Sequence, residues 1–127
     1  MSKILITDDN AQNLYLARFL LEQRRHQIDE AHNGQEAVEA AKNKRFDLII
    51  MDIQMPVLNG LEATKLIKQM DSPPPVIALT AKAMTGDPEK ILSAGCDGYI
   101  AKPLDPRTFA ESVESYLTEF TVEIEKD

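Results

Sequence analysis

The stretch "LIIMDIQMP", residues 48–56, runs four apolar residues into an aspartate and then, shortly after, into a proline. Phe46 to Met51 is the strongest strand signal in the chain, apolar on both faces except for Asp47. A run without a polar face suits a strand covered on both sides, as central parallel strands are. Such a strand needs neighbours and covering helices. It also raises a question: Asp52 closes it either as a turn residue or as a chemical group.

Working outward, Ile4-Leu5-Ile6 reads as a buried strand ending at Thr7-Asp8-Asp9, with Leu14, Ala17 and Leu21 following at helical spacing. Gln27 to Ala31 is a weaker strand. Asn33-Gly34 marks a turn or cap before a helix carrying Ala37, Val38 and Ala41. On the other side, Asn59-Gly60 breaks the loop after Pro56, and a helix over about 60–69 is expected to turn Leu66 and Ile67 inward. "SPPP" stops that helix, and Val76-Ile77-Ala78-Leu79 is a fourth strand. Asp87-Pro88 starts a helix, with Asp at the cap and Pro in the first turn, and Gly95 ends it. Tyr99-Ile100-Ala101 is a short fifth strand. Asp105-Pro106 opens a last helix with Phe109, Val113, Tyr116, Leu117 and Phe120 on one stripe. The final "TEFTVEIEKD" either extends that helix or alternates as an exposed strand through Phe120, Val122 and Ile124. Strands alternating with helices imply an α/β fold, an open parallel sheet covered on both faces.

The chain's 127 residues suit one domain with a proper core. We expect that domain over 1–120 and an acidic tail over 121–127. With 43% hydrophobic and 28% charged residues the balance is that of a globular protein. The net charge of −7 argues against nucleic acid or an anionic membrane as the main partner, although a local basic patch could form, for example around Arg24, Arg25 and His26. A single cysteine, Cys96, excludes an intramolecular disulfide. Cys96, His26 and His32 are too scattered for a zinc pattern, and Cys96 reads as a small packed residue. No apolar run approaches the ~20 residues of a membrane span. The apolar part of "MSKILITDDN" is too short for a signal peptide. A cytoplasmic location is the default expectation.

The polar residues gather in one place. The first strand ends in Asp8 and Asp9, the third in Asp52, the fourth in Thr80 and the fifth in Lys102, followed by Pro103. In open α/β sheets ligands bind beyond those ends, where the strand order reverses. Each residue alone has a plain reading: Asp8-Asp9 as a helix cap, Asp52 as a turn residue, Thr80 as a strand-end hydroxyl, Lys102 as a surface charge. Those readings are independent and do not explain the convergence. A joint reading does. Crowded carboxylates repel and invite a cation, and oxygen ligands without Cys or His favour magnesium, manganese or calcium. Few protein ligands, with room for water and phosphate, favour Mg2+. An aspartate beside such a metal can attack phosphorus and form an acyl phosphate. Lys102 would pair with one phosphoryl oxygen and Thr80 would donate to another.

At these residues the chain resembles the receiver domain of two-component response regulators. "ILITDDN", "DLIIMDIQMPVLNG", "VIALTAKAM" and "GYIAKP" carry the resemblance over about residues 3–118, in order and at the right spacing. It implies a flavodoxin-like five-stranded parallel sheet of order 2-1-3-4-5 with five helices on both faces. It implies Asp52 as phosphoacceptor and Asp9 and Asp52 as Mg2+ ligands, with the backbone carbonyl of Gln54 a further ligand and Asp8 acting mainly through water. It implies a cis peptide before Pro103. It also implies a switch in which Thr80 moves toward the phosphoryl group, Tyr99 swings inward, and the fourth helix, fifth strand and fifth helix are read by a partner.

The same resemblance makes the chain a signalling protein rather than an enzyme, acting only on its own phosphorylation and dephosphorylation. It looks like the stand-alone receivers, charged by a histidine kinase or a histidine phosphotransfer protein and acting through protein contacts, or like a receiver cut from a longer protein. Tyr15 and Arg18 on the first helix are candidates for donor docking. We further expect a loose loop over 81–86 before a short fourth helix, because Gly86 adds backbone freedom and Pro88 fixes the start. Gln54 and Lys82 follow Asp52 and Thr80 by two residues, positions that flank the hydrolytic water's path in the family. Lys82 pairs with phosphate, obstructs that water, or points into solvent. A haloacid dehalogenase-type phosphatase needs a second aspartate as general acid where this chain has Gln54. A flavin-binding relative needs a phosphate cradle where "TDDNAQN" offers carboxylates.

Overall fold

A computed structural model describes residues 2–55, 57–81 and 87–126. Strands β1 (Lys3–Thr7), β2 (Gln27–Ala31), β3 (Leu48–Asp52), β4 (Val76–Ala81) and β5 (Gly98–Lys102) form one sheet in the order β2-β1-β3-β4-β5. Every neighbouring pair is parallel. Helices α1 (Ala11–Glu22), α2 (Gly34–Asn43), α3 (Gly60–Lys68), α4 (Asp87–Ser93) and α5 (Phe109–Lys126) link or follow the strands. The strand order is the expected one, and it reverses direction between β1 and β3.

Alternation along the strands divides the core in two. Ile4, Ile6, Leu48, Ile50, Ile77 and Leu79 face α1 and α5, where Leu14, Leu21, Phe109 and Val113 meet them. Leu5, Ile49, Met51, Val76 and Ala78 face the other way, onto Val38, Ala63, Ile67 and Ile91. The quoted run is therefore apolar on both faces because each face has its own helical layer. Leu48 to Met51 are fully buried, and each such side chain contributes roughly 1.5–3 kcal/mol.

At the site end of the sheet three helices open on asparagine caps. Asn10, Asn33 and Asn59 accept from the backbone N–H of Asn13, Glu36 and Glu62, and Glu62 returns the bond to complete a capping box. Each cap contributes about 1 kcal/mol. Gly60 sits where a Cβ would lie 2.1 Å from the Asp52 carbonyl oxygen. Only glycine lets α3 start directly against the end of β3.

Several expectations shift. The third strand begins at Leu48 rather than Phe46, and Asp52 is its last residue rather than a turn residue. Leu66 is 43% exposed and does not point inward. The buried stripe of α3 is Gly60, Ala63, Thr64 and Ile67, and Leu66 falls beside it. Asp105-Pro106 does not open α5 directly. The Asp105 carboxylate accepts from the Arg107 N–H and its carbonyl accepts from Thr108 and Phe109, so a turn precedes the helix. The backbone of α5 is helical through Lys126, not extended. The basic cluster is partly neutralised, because Arg24 and His26 both pair with Glu114. Cys96 is buried, and its thiol donates to the Thr64 hydroxyl at 3.7 Å. The expected loop at 81–86 lies, beyond Ala81, outside the described residues.

Candidate functional site

Asp8 follows β1 directly, and its N–H donates to the Ala31 carbonyl at 3.1 Å, which ties it to the end of β2. Its carboxylate is only 1% exposed. Oδ1 accepts from the Asn10 N–H at 2.9 Å, and Oδ2 accepts from the Asn13 side-chain amide at 3.3 Å. Asp52 ends β3 and is likewise buried. Its Oδ1 accepts from the Gln54 N–H at 3.1 Å. Asp9 is exposed at the rim. Carboxylate oxygens of Asp8, Asp9 and Asp52 lie within 4.8 Å of one another.

Lys102 ends β5 and reaches across β4 to the centre. Its Nζ lies 2.9 Å from Asp52 Oδ2 and 3.6 Å from Asp8 Oδ2. The peptide from Lys102 to Pro103 is cis. Burial pushes the Asp52 carboxyl above its ordinary range. The hydrogen bonds from Lys102 and from the Gln54 N–H oppose that shift, the Asp8 charge adds to it, and the Lys102 charge opposes it. Three carboxylates crowd together with one ammonium, that of Lys102, among the described residues, and two of the three are buried. That donor set fits a hard, oxygen-seeking divalent cation.

Thr80 lies on β4, which pairs with both β3 and β5. Its hydroxyl is buried and finds no hydrogen-bond partner among the described residues. Unsatisfied buried hydroxyls are uncommon and need an explanation. On the strand between those that carry Asp52 and Lys102, a hydroxyl with no partner among the described residues is available to an incoming oxyanion. Tyr99, three residues before Lys102, is 44% exposed, and its carbonyl accepts from the Tyr116 hydroxyl at 3.2 Å.

The fold thus brings Asp8, Asp9, Asp52 and Lys102 together and sets Thr80 on the strand between β3 and β5. Gln54 touches the cluster through its backbone N–H. Tyr99 sits apart on the surface, and Lys82 lies outside the described residues. On α1, Tyr15 is 72% exposed and stacks on Phe19 with ring centroids 6.3 Å apart. Arg18 is engaged with Glu22 and Glu30. Sequence reasoning missed Asn10 and Asn13. The signal was present in "DDNAQN": an Asn placed three residues after an Asn cap lies in the first turn of α1, within reach of the strand end.

A family model described as the response regulator receiver domain matches residues 4–114. The polar-differentiation response regulator DivK of Brucella anthropi is 45% identical over 116 residues, covering 90% of this chain and 94% of that protein. The hybrid signal transduction histidine kinase I of Dictyostelium discoideum is 39% identical over 95% of this chain, which corresponds to 8% of that much longer protein. Among solved structures, the receiver domain of a sensor histidine kinase from Pseudomonas aeruginosa, with a magnesium ion coordinated in its active-site cleft, superposes with a TM-score of 0.84. It is 33% identical, covering 92% of this chain and 98% of that one.

Proposed function

This chain belongs to the response regulator receiver family of two-component signalling, and from that premise we propose that Asp52 is its phosphoacceptor. The supporting observation is the pairing of Asp52 with Lys102 at 2.9 Å, beside two further aspartates, with a buried Thr80 hydroxyl on the intervening strand that has no partner among the described residues. The phosphodonor is a phosphohistidine of a histidine kinase or of a histidine phosphotransfer protein. An Asp52 carboxylate oxygen attacks phosphorus, the P–N bond breaks, and its electron pair leaves with the imidazole. The product is an acyl phosphate on Asp52.

Asp8, Asp9, Asp52 and the Gln54 carbonyl would hold Mg2+, Asp8 mainly through water. When bound, the ion screens the negative charges brought together during transfer. Lys102 exchanges its carboxylate partner for a phosphoryl oxygen, a charge-assisted contact. The Thr80 hydroxyl, which has no partner among the described residues, donates to another phosphoryl oxygen. Its displacement, with Tyr99 turning in from the surface, is the two-state element that carries the signal to the face formed by α4, β5 and α5. The protein acts as a cytoplasmic signalling component, promotes chemistry only on itself, and alters its contacts with a partner protein.

The test is intact-mass spectrometry after incubation with acetyl phosphate and Mg2+. Wild type is expected to gain one phosphoryl group that depends on the metal, and Asp52→Asn to gain none. Equal labelling of both proteins would overturn the assignment.

A further inference from the structure

Asp8 is a buried carboxylate held from two sides by uncharged donors. The Asn10 N–H fixes Oδ1 at 2.9 Å, and the Asn13 amide fixes Oδ2 at 3.3 Å. A carboxylate can only accept, so the amide group facing it is the nitrogen. Asp8 Oδ2 is also 3.6 Å from Lys102 Nζ, whose shorter contact is with Asp52. Asp8 Oδ2 therefore lies between a neutral donor on α1 and the Lys102 ammonium.

From this geometry we infer that Asn13 is a positioning residue that sets the affinity of the acidic cluster for a divalent cation. The inference rests on the reading of Asp8, Asp9 and Asp52 as a cation site. A neutral amide restrains the rotation of Asp8 without cancelling its charge, so the carboxylate stays presented to the cluster and still attracts a cation. Without the amide, Asp8 Oδ2 is free to close on Lys102, and the ammonium then competes with the cation for both carboxylates.

Asn13 is suited to a clean test. It lies in the first turn of α1 and is partly exposed. Its contribution to the helix cap is its backbone N–H, bound to Asn10 Oδ1 at 3.0 Å. Changing the side chain leaves that bond in place. Leu and Ala are also better helix formers than Asn.

The experiment is a titration of the metal-free protein with Mg2+ alone, followed by amide NMR shifts at Asp8 and Gln54, for wild type, Asn13→Leu, Asn13→Ala and Asn13→Gln. Loss of the amide is expected to weaken Mg2+ binding about tenfold, as loss of an outer-shell partner does. Asn13→Gln keeps the amide and is expected to retain most of the affinity. Labelling by acetyl phosphate at saturating Mg2+ is expected to return to the wild-type rate in all three variants, since positioning alters binding rather than transfer. Unchanged Mg2+ affinity in the Leu and Ala variants, or equal weakening in Asn13→Gln, overturns the inference and leaves the site reading intact. Failure of wild type to bind Mg2+ overturns the cation-site reading and the inference together.

Discussion

The two edges of the sheet treat aspartate in opposite ways. At the edge where strands begin, Asp47 accepts from the Lys3 N–H at 2.7 Å. Asp97 there accepts from the Val76 N–H at 2.8 Å and from Lys68 at 2.6 Å. These carboxylates stitch strand starts together and sit partly in water. At the edge where strands end, Asp8 and Asp52 are buried within a few ångströms of each other and of Asp9, with Lys102 shared between two of them. The first arrangement serves the fold. The second opposes it, since carboxyl groups are crowded and two of them are buried, and that opposition is what a site for a cation and an oxyanion requires.

The comparison is sharpened by removing one carboxylate from each edge. Asp97→Ala is expected to give the largest effect on stability, a loss of about 2 kcal/mol, because it unpairs the Val76 N–H and leaves Lys68 only its bond to the Pro74 carbonyl. Chemical denaturation measures that loss, and Mg2+-dependent labelling of the folded variant should stay at the wild-type level. An equal loss of labelling would mean the two edges are not separable.

Asp52→Asn should have a smaller effect of the opposite sign, because Lys102 keeps Asp8 as a neighbour. Burial holds the Asp52 carboxyl above its ordinary range. With the folded-state pKa raised, the acid form is favoured by folding. Its stabilising contribution is complete below the unfolded pKa and is lost as pH rises through the folded one. In chelator, Asp52→Asn should therefore be more stable than wild type at neutral pH. That advantage should shrink as pH falls through the raised pKa of Asp52 toward the ordinary carboxylate value. Melting curves across that window check it, and a constant difference would contradict the assigned cause.

The smallest expected change is at Val57, whose φ of 72° is unusual for a β-branched residue and whose side chain is exposed. Val57→Gly should stabilise the protein by about 1 kcal/mol. Denaturation without metal measures this, and a net loss would show that the Val57 side chain matters more than the backbone strain.

How much of this was legible in the sequence follows the same division. The strand runs declared themselves, because a strand buried on both faces must be apolar at every position, as Leu48 to Met51 are. The polar strand ends were legible because parallel strands bring all their C-terminal ends to one side. Local competition was harder to read. Leu66 looked buried by composition, yet the buried stripe of α3 runs through Gly60, Ala63, Thr64 and Ile67, and Leu66 falls off it. Asp105 looked like a cap, but its side chain is taken by the Arg107 N–H and the helix starts later. The Asn13 brace on Asp8 depends on how α1 leaves β1, which residue spacing alone does not convey.

The most direct test of the central claim traps the acyl phosphate where it forms. Protein labelled with acetyl phosphate and Mg2+ is reduced with borohydride, which converts an aspartyl phosphate to homoserine, and is then mapped by peptide mass spectrometry. The account predicts the conversion at position 52 alone. Conversion at position 8 or 9, or a phosphoryl group that resists borohydride, would contradict it.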